Sequence, residues 1–317
     1  MKAMKIGGGR ERVCHVISHQ GWIADTMSSA LDGSRDWRIV RHDGLSPVEG
    51  IGPDEAVWTS PGQLIAQNAW LESLGRPPIR LAAPSPSWPL CLDRNLLGRR
   101  VILAEAGRIR SWKALPPGLG TLPWSQVSQG RVTGFRAARR SLETLKADLR
   151  AAPDDALIQV EGHLTAIREE WRVTVVGGRA VNSSGYCLHA GETDRTIVTV
   201  FDGARFDPAL RPLAQAAAVE AAAKADLDAV CIDLVFCGGP GMAGHEKAGP
   251  FVLEVDPVWC SAPYDFGRAG MEAFLQAVLA CRKPDLLARG TYHPESWMLE
   301  SFGRRYRSWW GPRPVRP

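Results

Sequence analysis

The sequence predicts a mixed α/β (α+β) protein, and three patterns carry that prediction. Strand-like and helix-like segments alternate over residues 12–75, as in a small parallel-sheet module. A Gly177-Gly178 pair sits between two strand-like runs, "EEWRVTVV" and "RAVNSSGYC", which is the signature of a β-hairpin. Two apolar runs, "DAVCIDLVF" and "FVLEVDPVW", flank a glycine-rich loop and read as a second pair of strands.

The elements follow in order. "RVCHVIS" reads as a strand, "GWIADTMSSAL" as a helix, "DWRIVRH" and "EAVWTSP" as strands, and "GQLIAQNAWLESLG" as an amphipathic helix stopped at Gly75. The proline-rich stretch 76–99 is a connector with a short helix near its end. From residue 101 strand material leads into the Gly/Pro loop of "SWKALPPGLG", and "RVTGFRAARRSLETLKADLRAA" is a strand followed by a helix. "ALIQVEG" reads as a strand or hinge, "PALRPLAQAAAVEAAAKADL" as a helix by propensity, and "AGMEAFLQAVLAC" as a late helix. These divisions place a module at 1–100, a first lobe at 101–158, a second lobe at 159–290 and a basic, aromatic tail at 291–317.

Bulk properties remove several classes. With 317 residues, 45% hydrophobic and 23% charged, the chain is long enough for two domains or one lobed domain with a sizeable core. A formal charge of +4 does not argue for nucleic acid or a membrane surface. No apolar run reaches the roughly 18 residues of a membrane span, and "MKAMKIGGGRERV" lacks the apolar segment of a secretory signal. Seven scattered cysteines without a CxxC pair read as reduced, packed thiols and fit a cytoplasmic location. A homodimer is a reasonable expectation for an enzyme of this size.

The chemistry concentrates where acids interrupt buried strands. Glu254 and Asp256 lie two apart and point to one face of their strand. Asp233 interrupts "AVCIDLVF" in the same manner. If the two strands pair, three carboxylates converge, and burying them together requires positive charge. A hard cation such as Mg²⁺ with a phosphate-bearing substrate is one answer; pairing with some of the chain's many arginines is the other.

The segments "CIDLVF … FVLEVDP", "IQVEGHLTAIREEWRVTVVGGRAVNSSGY" and "SWKALPP", in that relation and over residues 101–267, resemble the ATP-grasp superfamily, and residues 12–90 resemble the α/β module that precedes it. The resemblance implies two α+β lobes enclosing a nucleotide, with ATP and Mg²⁺ or Mn²⁺ as cofactors. Asp233, Glu254 and Asp256 would then hold metal. Lys113 would contact phosphates, Arg131 would stand before the phosphate-facing turn, Gln159 and Val160 would meet adenine and Glu161 ribose. Glu170 and Arg172 would be catalytic, Arg172 steadying the γ-phosphate through its planar, bidentate fork. Tyr186, Ser261 and Tyr264 are candidates for the carboxylate substrate. The implied reaction joins a carboxylate to an amine, or less often a thiol, through an acyl phosphate. A non-catalytic nucleotide-binding or interaction protein on the same fold, and a kinase without ligation, are the alternatives. Two departures stand out: Asp256 where the superfamily usually has Asn, and Cys231-Ile232 where many peptide-ligase members carry an arginine before the metal Asp.

Other signals carry less. "GGPGMAGHEK" has P-loop glycine spacing but lacks the Gly-Lys-Ser/Thr ending. His15 and His19, four apart, read as strand and loop rather than a zinc helix. No Gly-x-Ser-x-Gly elbow occurs. The tail around Arg304, Arg305, Tyr306, Arg307, Trp309 and Trp310 has the composition of a nucleic-acid stacking surface, but such tails more often pack their rings on the body or on a partner subunit.

Overall fold

The computed structural model describes residues 11–44, 46–128, 135–189, 195–197, 206–238, 249–264 and 266–307, with 195–197 and 303–307 described as backbone. Three sheets organise them.

The first is a parallel sheet. Strands β1 (Arg12–Ile17), β2 (Trp37–His42) and β3 (Ala56–Thr59) lie in the order β2-β1-β3, with α1 (Gly21–Ala30) as the crossover between β1 and β2 and α2 (Pro61–Ser73) following β3. The sequence pattern produces these elements by local means. Ser60 caps α2 by accepting from the Gln63 amide, and Pro61 supplies a pre-set first-turn φ. Gly75 ends α2 at φ +68°, with the Arg76 and Gly75 amides bonded back to Leu71 and Glu72. Because β1 is central and the chain departs to opposite sides of it, the C-terminal ends of β1 and β3 form a crevice at a topological switch point.

The second sheet is antiparallel, in the order β4-β7-β5-β6: β4 (Val101–Glu105), β5 (Trp124–Val127), β6 (Ala138–Arg139) and β7 (Leu157–Glu161). Before it comes the short α3 (Arg94–Leu97). Within it, α4 (Ala106–Arg110) and α5 (Leu142–Asp148) cover a core that includes Leu119, Phe135, Leu145, Leu149 and Ile158. Strand β7 completes this sheet, so the boundary drawn at residue 158 falls inside a strand rather than between lobes.

The third sheet, β10-β9-β8-β11-β12, is also antiparallel. It comprises β8 (Ile167–Val176), β9 (Arg179–His189), β10 (Arg195–Ile197), β11 (Ala229–Cys237) and β12 (Phe251–Pro257). Gly177 and Gly178 close the β8–β9 hairpin with φ of +53° and +73°, the pair of positive values that a two-residue turn of matching twist requires. Helix α6 (Leu210–Lys224) lays Ala214, Ala217, Ala218, Ala221 and Ala222 against Trp171, Val173, Ile232 and Leu234, since small side chains let a helix approach a sheet closely. On the other face α7 (Gly267–Ala280) packs Met271, Phe274 and Val278 with Cys14, Ile23 and Trp58 of the parallel module. The third sheet is therefore covered on both faces.

Helices α8 (Pro284–Arg289) and α9 (Ser296–Arg307) follow. The sequence reading makes 291–317 a tail, but α9 packs on α2, and Trp297 and Met298 are buried in the core of the second sheet. Residues 308–317 lie outside the described residues.

One buried cation joins the second and third sheets. Arg99, just before β4, pairs with Glu161 of β7 at 2.8 Å, and its guanidinium also donates to the carbonyls of Val252 (2.8 Å) and Leu253 (3.1 Å) of β12. Both side chains of the pair are 4% exposed. Removing one partner of such a pair strands the other without hydration, whereas removing both is far milder. Arg99→Met should therefore cost about 3–5 kcal/mol in urea-induced unfolding, and Arg99→Met combined with Glu161→Leu should recover most of that loss.

Candidate active site

The site arises from period-2 alternation on a sheet buried on both faces. On β8 and β11 one set of residues (Trp171, Val173, Ile232, Leu234) faces α6. The intervening set, Glu170, Arg172 and Asp233, faces the opposite way. Strand pairing puts Asp233 opposite both Arg172 on β8 and Glu254 on β12. A bulge at Leu253 shifts the β12 register just beyond this point, a device common beside active sites. One carboxylate oxygen from each of Asp233, Glu254 and Asp256 lies within 4.8 Å of the others.

Arg172 supplies the positive charge that these acids need. Its Nε and Nη2 donate to the two oxygens of Asp233, both at 2.7 Å, and Nη2 also donates to Asp256 at 3.0 Å. Burial alone works against the charged guanidinium, but Asp233, with smaller contributions from Tyr264 and Asp256, holds its pKa well above the ordinary arginine value. Nη1 makes one hydrogen bond among the described residues, a 3.5 Å contact to the Ala262 carbonyl, so it retains donor capacity. The three side chains offer only oxygen donors, the chemistry a hard divalent cation takes, so these residues fit Mg²⁺.

Two tyrosines complete the cluster. The Tyr186 hydroxyl donates to Asp233 at 3.1 Å, and its ring stacks on Tyr264 at 5.0 Å. Arg172 lies over both rings. A second bulge explains how Tyr186 reaches this face: Glu170 pairs with Cys187 while Trp171 pairs with Gly185, leaving Tyr186 as the extra residue. Burial, reinforced by the charges of Asp233 and Glu170, pushes the Tyr186 hydroxyl pKa well up. Burial pushes Tyr264 up to about 12, the nearby Arg172 opposing it.

A cavity of about 450 Å³, in the size range of small-molecule sites, opens above the acids. The switch-point loops of the parallel module line it through Ser18, Gln20 and Ser60, the second sheet through Gln126 and Gln159, and the third through Arg172, Glu254 and Asp256. Tyr264 also lines it. Among the described residues, Arg172 is the only lysine or arginine in its wall.

The remaining sequence-predicted residues are placed differently. Lys113 is exposed in the turn after α4, not on a strand, and does not line the cavity. Arg131 lies outside the described residues. Gln159, Val160 and Glu161 form the central strand β7, with ladders to β4 and β5 on both sides, so their backbone groups are committed to the sheet and do not form a hinge. Val160 is core; Glu161 is held by Arg99 and by the Gln159 amide. The chain leaves the sheet only at Gly162. Glu170 is buried against His189 rather than on the cavity wall. Ser261 is 1% exposed, donates to the Pro257 carbonyl, and accepts the Trp58 indole N–H at its own carbonyl, which is a structural role. Sequence reasoning missed Gln126, the loop 18–20 after β1 and the Ser60–Gly62 start of α2 after β3. The signal for these two segments was present, since each follows a strand of a parallel sheet.

No family model matches the chain, and no curated protein matches it by sequence. Among solved structures, D-alanine–D-alanine ligase from Bacillus anthracis complexed with ATP aligns with a TM-score of 0.46 at 12% identity, over 89% of this chain and 100% of that one. A second structure of that ligase aligns with a TM-score of 0.43 at 12% identity, over 94% and 99%. The ATP-grasp ligase PsnB complexed with minimal precursor aligns at 0.44 and 14% identity, over 84% and 99%. These are distant likenesses of fold. The chain's own architecture is a small parallel α/β module followed by two antiparallel sheets, each packed with helices, in keeping with the α+β lobes expected from the sequence.

The tyrosine environment has a spectroscopic consequence. Tyr186, Tyr264 and, through burial, Tyr292 all hold their protons above the usual tyrosine pKa of about 10. In a tyrosinate absorbance titration at about pH 11, at most about one of the four tyrosines should ionise in the folded protein and all four after denaturation. The folded state binds these protons more tightly than the unfolded chain. Their contribution to stability is thus complete below about pH 10 and is lost as pH rises from there through the folded-state values.

Proposed function

We propose that this chain is an ATP- and Mg²⁺-dependent ligase of the ATP-grasp type that joins a carboxylate to an amine through an acyl phosphate. The observation that carries the reading is the convergence of three carboxylates, two of them, Glu254 and Asp256, in the wall of a cavity shared by the parallel module and both antiparallel sheets. Asp233, Glu254 and Asp256 would hold the metal, which when bound supplies charge neutralisation and orientation at the nucleotide phosphates.

The chain's own residues account for the rest. Arg172 Nη1, with donors to spare, is suited to the oxygens that gain charge as the substrate carboxylate attacks the γ-phosphorus and ADP departs. Asp233 and Tyr186 keep the guanidinium from swinging away, so its alignment is prepaid in the fold. Tyr264, stacked on Tyr186 and lining the cavity, would meet the acyl phosphate or the incoming amine. The amine then attacks the acyl carbon, phosphate leaves, and the amide forms.

A second reading, a nucleotide-binding protein without turnover, is favoured by one specific feature. Arg172 is the cavity's single lysine or arginine among the described residues, and it is already engaged by two carboxylates, while Lys113 is elsewhere. Thermal unfolding with ATP, with and without Mg²⁺, followed by a phosphate-release screen of paired carboxylates and amines, separates the two. Ligand at 100 times Kd should add about 2.7 kcal/mol of stability. A Mg²⁺-dependent shift that disappears in Glu254→Gln, with phosphate release only when carboxylate and amine are both present, is the expected result. A shift without release by any pair supports the second reading, and no shift with any nucleotide sinks both.

A further inference from the structure

Along the strand from Arg172, the same face of the third sheet carries a second group of different chemistry. Glu170 precedes Arg172 by two on β8, Cys187 lies directly opposite Glu170 on β9, and His189 follows Cys187 by two. Antiparallel pairing therefore fixes all three on one face. His189 Nε2 lies 2.7 Å from Glu170 Oε1 and 3.6 Å from Cys187 Sγ, and the three atoms fall within 4.8 Å of one another. Glu170 and Cys187 are buried, and the His189 side chain is 14% exposed.

Cys, His and Glu together suggest either a nucleophile relay or a metal site, and the geometry separates them. A relay needs the imidazole to meet the thiol with one nitrogen and the carboxylate with the other. Here a single nitrogen, Nε2, faces both. Three ligand atoms around one point is the arrangement of a cation site. With zinc bond lengths of about 2.3 Å to sulfur and about 2.05 Å to nitrogen, a tetrahedral angle places the two ligands about 3.5 Å apart, against the 3.6 Å found. The nitrogen–oxygen spacing expected from the same bond lengths is about 3.4 Å, so a small side-chain rotation that opens the His189–Glu170 hydrogen bond admits the ion.

Charge and softness point the same way. A thiolate and a carboxylate neutralise a divalent ion, which suits a buried location better than either anion by itself. Thiolate and imidazole select zinc-like metals over Mg²⁺, whereas the Asp233–Glu254–Asp256 set is all oxygen. We propose that Glu170, Cys187 and His189 form a binding site for a borderline-soft divalent cation of the zinc type, separate from the carboxylate cluster and with its fourth coordination position open. This site stands or falls independently of the ligase reading.

The test uses the full chain, stripped with a chelator and titrated with Co²⁺ as an absorbing stand-in for zinc. A thiolate-to-cobalt charge-transfer band should saturate at one equivalent, bleach on addition of Zn²⁺, and persist in excess Mg²⁺. Cys187→Ser should abolish the band, Cys260→Ser should leave it unchanged, and His189→Gln should weaken Co²⁺ binding at least about tenfold. Absence of the band, its survival in Cys187→Ser, or its displacement by Mg²⁺ overturns the proposal. Should the buried Cys187 replacement fail to fold, wild-type Co²⁺ affinity in His189→Gln overturns it instead.

Discussion

Three carboxylates on neighbouring strands of a sheet covered on both faces repel one another and lose hydration, and the buried guanidinium of Arg172 meets two of them. Arg172 takes Asp233 in a two-pronged grip and reaches Asp256 with the same nitrogen. Its position follows from cross-strand register, because Arg172, Asp233 and Glu254 lie in line across β8, β11 and β12. Around this interaction the surrounding structure is arranged for rigidity. Tyr186 holds Asp233 from β9, Tyr264 closes the ring stack, and α7 presses the parallel module onto the same face.

Two of the three carboxylates, Asp233 and Asp256, touch Arg172 directly. A divalent ion entering at Asp233, Glu254 and Asp256 would share two of its ligands with Arg172. The Nη1 donors left over would then face whatever anion arrived with the ion. On the proposed reading, cation and anion binding would be coupled through one side chain. The Asp256 carboxylate gives Arg172 a second ion-pair partner at 3.0 Å.

The same sheet carries two side-chain clusters of different donor chemistry. Near the β11–β12 pairing the donors are all oxygen, and one strand pair away sulfur and imidazole join a carboxylate. The bulge in β9 separates the two, since it turns Tyr186 and Cys187, adjacent in sequence, toward the same face. Arg99 performs a mechanical version of this cross-sheet role, tying β7 to β12 through a buried ion pair and two carbonyls.

Much of this was legible in the sequence wherever a local rule decides the outcome. The strand–helix alternation, the Gly177-Gly178 hairpin, the Gly75 stop and the polyalanine helix all depend on near neighbours. The acids at 233, 254 and 256 were visible because each breaks an apolar run, and period 2 places Glu254 and Asp256 on one face without further information. What only the tertiary structure decided is which charge meets which. Arg172 read as a phosphate ligand, yet it holds Asp233; Glu161 read as a ribose ligand, yet it is buried on Arg99, 62 residues away in the chain. Lys113 follows a short helix rather than a strand, and α9, with the look of a loose basic tail, closes a core through Trp297 and Met298. Ion pairing and packing between distant segments depend on register shifts and bulges, and one inserted residue such as Tyr186 reverses the face of its neighbour. Periodicity in the sequence carries no trace of that insertion, because the strand pairing that creates it exists only once the sheet has formed.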